Sequence, residues 1–185
     1  MSSCFSSGGS GGLKTNQGTI ETNTGAIYGV KALKYNGQAL GLISEDGLQP
    51  GGDSPSKTRI WAAQKRNAPF AVLKSTPGTK TWTFTLIELS ADNMIQVMGG
   101  TKESTGVYVP PTEDKDVQGV FDIETVTGHT IRIYNGVLTC NFANGINFSN
   151  VLGIECELEM QEAGEKPPYK IFAPGQVPPS DEIPS

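Results

Sequence analysis

Period-two alternation of apolar and polar residues dominates the chain, and it predicts a protein built mainly of short strands. In "TWTFTL", Trp82, Phe84 and Leu86 alternate with Thr81, Thr83 and Thr85. In "VLGIECELEMQ", Leu152, Ile154, Cys156, Leu158 and Met160 point one way, and Glu155, Glu157 and Glu159 point the other. Each is a half-buried strand with one core face. Further strands are expected at 26–34, in "QALGLIS", "RIWAA", "FAVLK" and "GVFDIETV", and in "TIRIYNGVLTC". Asn-Gly pairs at Asn36–Gly37, Asn135–Gly136 and Asn144–Gly145 are hairpin-turn signals.

One segment breaks the rhythm. After Leu89, Ser90 is a good helix N-cap and Asp92 suits the positive end of the helix dipole. Ala91, Met94, Ile95 and Met98 then form a helical stripe, and Gly99 suits a left-handed closing position. A helix of about two turns, Ser90 to Met98, packed on a sheet is predicted. Long irregular connections are expected at 46–58, "DGLQPGGDSPSKT", and at 100–116, where Pro110 and Pro111 argue against a central strand. The fold class is therefore mainly β, a sandwich or barrel with one short flanking helix and long loops. Residues 1–12 read as a flexible Ser/Gly-rich segment, 13–164 as one β-sandwich domain, and 165–185 as a Pro-rich extension.

Composition adds constraints. The 185 residues include 23 Gly and 12 Pro, which suits a turn-rich β-fold. No apolar run approaches a membrane span, and the N-terminus has no secretory pattern. The three cysteines, Cys4, Cys140 and Cys156, show no metal-ligand spacing, so they read as reduced, small hydrophobes in an intracellular folding environment. A net charge of -5 argues against a general nucleic-acid binder. Its distribution is uneven. Between Ser54 and Ile87 there are only basic charges, among them Lys57, Arg59, Lys65, Arg66, Lys74 and Lys80. Between Ile133 and Glu165 there are only acidic ones. These are either two solvated faces or the complementary halves of a head-to-tail interface. The row Glu155, Glu157, Glu159 needs water or cations around it, as a solvated face, a neighbour's contact or a channel wall.

Catalytic signals are thin. The single histidine, His129, reads as a hairpin corner in "TGHT". "GGTK" at Gly99–Lys102 follows a helix, whereas a phosphate loop precedes one. The chain reads as non-enzymatic, with no cofactor and no metal.

The run "YNGQALGLISEDG", a long loop, "RIWAA", a Pro-Phe strand and then "TWTFTLIELSADNMIQVMGG" resembles the major tail proteins that build the tubes of long-tailed bacteriophages. The resemblance covers roughly 26–100, with the remainder similar only in strand pattern. It implies a virion structural protein, assembled in the bacterial host cytoplasm. Six subunits would form a ring, and stacked rings would form the tail tube that delivers DNA. Tail tip, tape measure and terminator proteins are implied partners. DNA would pass the lumen without specific binding, and no membrane insertion is implied. The inter-ring loop would include Asp46, Gly47, Leu48, Gln49, Pro50, Asp53 and Lys57. Glu155, Glu157 and Glu159 would form an acidic lumen or interface row, with Arg59, Lys65 and Arg66 as basic interface partners. Two alternatives stay open. One is another tail or injection component, such as a terminator, a baseplate part or a contractile-system tube. The other is a monomeric ligand-binding sandwich, against which Trp61 and Trp82 stand as residues of buried strand patterns.

Overall fold

A computed structural model describes residues 25–64, 66–113 and 116–182. In chain order its elements are β1 (Val30–Tyr35), β2 (Gln38–Ala39), β3 (Gln49–Gly51), β4 (Ser56–Ile60), β5 (Ala71–Thr76), β6 (Thr81–Leu86), α1 (Ala91–Met98), β7 (Thr101–Lys102), β8 (Tyr108–Val109), β9 (Val117–Thr125), β10 (Thr130–Ala143), β11 (Gly153–Met160) and β12 (Tyr169–Phe172). The fold is mainly β with one short α-helix.

The main sheet runs β2-β1-β9-β10-β11-β6-β3, with antiparallel pairing throughout. It curls on itself. The chain leaving β2 bridges Ile43 to Leu86 of β6, and Ser44 N–H donates to the Thr85 carbonyl at 2.8 Å. Residues 38–44 thus join β1 to β6 and close the sheet as a barrel. Closure removes most of the unpaired edge an open sheet would expose. Phe84, Leu86, Phe121, Ile133, Ile154 and Leu158 fill the interior, each 3% exposed or less.

The Asn36–Gly37 turn forms as expected. Both residues have positive φ, 46° and 84°, which a two-residue hairpin of this hand requires. The turn also locks the neighbouring strand, because Asn36 Oδ1 accepts from Val120 N–H at 3.0 Å. The second "YNG" is not a turn. β10 runs straight through it, and the register slips by a bulge between Ile133 and Gly136. Glycine is needed at 136 for a different reason, since a Cβ there would lie 2.6 Å from Leu158 Cδ1 and 2.9 Å from Phe121 Cδ2. Asn144, at φ 67°, ends β10 and opens the connection 144–152.

The helix begins after Ser90, whose hydroxyl accepts from Asn93 N–H at 3.2 Å. Its packing stripe is rotated from the expected one. Val97 is the buried residue, with Met94 and Met98 beside it against the core, while Ile95 is only half-buried. Gly99 has positive φ (73°) but an extended ψ of -163°, so it closes the helix outside the left-handed helical region.

Three other expectations are corrected. The connection 46–58 is not loop throughout, because Gln49–Gly51 forms an edge strand on β6 and β4 begins at Ser56. The connection 100–116 contains the small hairpin β7–β8. The Pro-rich tail belongs to the fold: β12 pairs with β10 from Thr130↔Phe172 to Ile133↔Tyr169.

The tail covers a buried ion pair. Asp122 and Arg132 face each other across β9 and β10, bonded twice, Nε to Oδ1 at 2.7 Å and Nη2 to Oδ2 at 2.8 Å. Their side chains are 9% and 3% exposed. The third guanidinium nitrogen donates to the Pro179 carbonyl and lies 3.5 Å from Glu182. The hydrogen bond to Asp122 holds the guanidinium above its ordinary pKa, against the opposing effect of burial.

Candidate assembly surfaces

Among the described residues β4 and β5 form a hairpin that pairs with no other strand. Its base is narrow. Asp53 N–H donates to Thr79 Oγ1 at 2.9 Å, and Cβ atoms at Gly52 or Gly78 would fall 2.3–2.4 Å from opposing carbonyl oxygens. Only glycine lets the two chains run this close. Beyond the base the strands are exposed almost throughout.

The register sorts its side chains. Lys57 faces Lys74 and Arg59 faces Val72, while Thr58 faces Leu73 and Ile60 faces Ala71. Residues directly opposite share a face. One face of the arm is therefore cationic and the other apolar. Lys57 opposite Lys74 is a repulsive pair that benefits from a carboxylate supplied from outside the arm. Trp61 and Phe70 stand at the outer end of the arm, 54% and 77% exposed. The expectation that Trp61 is buried fails here, because among the described residues no second layer lies behind this hairpin. Arg66 is exposed near the same tip, and Lys65 lies outside the described residues.

A second apolar cluster sits at the other end of the barrel. The arm leaves where Gly51 pairs with Thr81, at the start of β6. The connection 144–152 leaves where Ala143 pairs with Gly153, beside Ile154↔Leu86 at the end of β6. It exposes Ile146, Phe148 and Val151, and Leu42 and Ile87 are exposed next to the same end. Leu42 N–H is held by Glu88 Oε2 at 3.1 Å, which sets a carboxylate beside this apolar rim. The root of the arm and the apolar rim are thus separated by the length of β6, about 20 Å at the usual rise per residue.

Between them runs a hydrophilic wall. Glu155, Glu157 and Glu159 are exposed on the outer face of β11, as the alternation predicted. Glu155 is flanked by Asn141 and Thr85, and Glu157 by Thr139 and Thr83. No cation pairs with the row among the described residues.

The residues expected to form one contact loop are divided. Asp46, Gly47 and Leu48 lie along the barrel seam, where Gly47 N–H donates to the Ser44 carbonyl at 3.0 Å. Gln49 and Pro50 sit in the edge strand, Asp53 at the base of the arm and Lys57 on its cationic face. His129 is a turn residue, its Nδ1 3.0 Å from Thr127 Oγ1. Among the described residues no group of three or more His, Cys, Asp or Glu side chains gathers as a metal site, and no helix is long and apolar enough to cross a membrane. The Asp122–Arg132 pair is not marked in the sequence, because the two residues, each five positions from Thr127, meet only through the register that places Glu124 opposite Thr130. Set against known families and curated proteins, the chain matches no family model and has no significantly similar curated relative.

Proposed function

We propose that this chain is a structural subunit that polymerises head to tail into a hollow tube, as the resemblance to phage tail-tube proteins implies. The observation that carries the proposal is the β4–β5 arm, amphipathic and free of the main sheet, at the barrel end opposite the apolar 144–152 rim. Two different surfaces at opposite ends make heterologous contacts, which repeat instead of closing on a pair. The apolar face of one arm would cover the rim of the next copy, with Lys57, Arg59 and Lys74 on the arm's opposite face. The Glu155 row suits a channel wall better than an interface core, because its flanks are Thr and Asn apart from Val137 beside Glu159, while interface cores are apolar. An acidic wall repels phosphate, so DNA would slide without the counterion release that makes basic surfaces adhesive.

The test is removal of the arm. Joining Ser56 to Ser75 through Gly-Gly deletes 57–74 and spares β3 and the barrel. Native chain at rising concentration should give tubes by negative-stain microscopy, and the armless chain should stay folded without forming them. Armless tubes would reject the arm as the connector.

The exposure of Trp61 and Phe70 also favours a second reading, a sandwich that binds a planar ligand such as a sugar on an aromatic platform. A native chain that remains monomeric at every concentration, with tryptophan fluorescence quenched by oligosaccharides, would favour it.

A further inference from the structure

We propose that Cys140 and Cys156 are a dithiol–disulfide site that pins β10 to β11 when oxidised. The two residues are direct partners in the ladder, with thiol sulfurs 2.7 Å apart. Opposed residues of antiparallel strands hold Cα atoms about 4.5–5.5 Å apart, inside the window a disulfide spans. The sulfurs need to close by less than about 1 Å to reach bonding distance, about 2.05 Å. Cys156 is fully buried, between Cys140 on one side and Phe84 on the other. Cys140 is only half-buried, in the half of β10 that runs out to the 144–152 rim, and it is the sulfur an oxidant reaches first.

The chemistry balances with a small disulfide as oxidant. The Cys140 thiolate attacks one sulfur of oxidised glutathione, forming a mixed disulfide and releasing one glutathione. Cys156 then attacks the Cys140 sulfur, displaces the second glutathione and passes its proton to that leaving thiolate. The protein loses two hydrogens and two glutathione thiols form. The hydrogen bond to Cys140, and then burial, push the Cys156 thiol above its ordinary range, so the second step is slow. The product closes the chain segment 140–156 around the exposed rim. The site holds whether or not the chain polymerises.

The experiment uses a Cys4→Ser chain, so that this pair alone is titrated. The folded protein is incubated with oxidised glutathione, alkylated under denaturing conditions and weighed. The expected product has lost two hydrogens, takes up no alkyl groups and yields a linked peptide pair containing Cys140 and Cys156. Its melting temperature should rise by about 5–10 °C, reversibly with dithiothreitol, as a loop of this size predicts. A Cys4→Ser/Cys140→Ala chain should show none of these changes. Two alkylated thiols after oxidation, a persistent glutathione adduct on Cys140, or a lowered melting temperature would each overturn the proposal.

Discussion

Replacing Arg132 with alanine tests how the C-terminal tail is held. The guanidinium makes two short bonds to Asp122, donates to the Pro179 carbonyl and faces Glu182. Alanine would leave the Asp122 carboxylate, 9% exposed, without its counter-charge. Breaking a buried pair from one side costs about 3–5 kcal/mol, mostly the penalty of the charge left behind. The lost contacts to the tail add about 1 kcal/mol. For a chain of this size that corresponds to a fall in melting temperature of about 10–20 °C. Urea unfolding followed by tryptophan fluorescence measures it, and limited trypsin digestion at Lys170 reports release of the tail. The double variant Asp122→Leu/Arg132→Met removes both charges and should recover most of the loss, because an apolar pair of similar volume is often neutral. If Arg132→Ala costs less than about 1 kcal/mol and leaves the tail protected, the pair is not what holds it.

Other predictions follow from single contacts. Gly136→Ala should cost about 1–3 kcal/mol in urea unfolding, since its methyl meets Leu158 and Phe121 below contact distance. Ser90→Ala removes the helix cap and should cost about 1 kcal/mol by the same assay. Reversing Glu155, Glu157 and Glu159 to lysine should leave stability within about 1 kcal/mol and leave assembly intact, because the row is solvated. It should also create salt-dependent binding to single-stranded DNA, read by fluorescence anisotropy. Loss of assembly would make the row an interface.

Parts of this fold were legible because the sequence states them locally. β11 alternates between fully buried and charged residues, so its two faces admit one reading. Ser90 marks the start of the helix through a bond to its own first turn. The helix phase was harder. Five of the residues in Ala91–Met98 are apolar, several stripes fit them, and contact with the barrel selects Val97 over Ile95. The two "YNG" tripeptides are locally identical yet end as a turn and a bulge, because tight packing against Leu158 and Phe121 demands the second glycine. Trp61 misled for a related reason. Apolar alternation says that a strand has an apolar face but not that the same chain covers it. The tail strand was hidden by prolines on both sides of Tyr169–Phe172, a segment whose β-character depends on finding β10 beside it.

Head-to-tail growth, as proposed above, needs a subunit with two unlike ends, one of which is the arm. The most direct measurement mixes native chain with the armless version and records tube lengths by negative-stain microscopy. An armless copy keeps the receiving rim and lacks the connector, so it should cap growing tubes and shorten them as its share rises. Tubes of undiminished length that incorporate the armless copy, or native chain that forms only closed symmetric pairs, would rule out the arm as the head-to-tail connector.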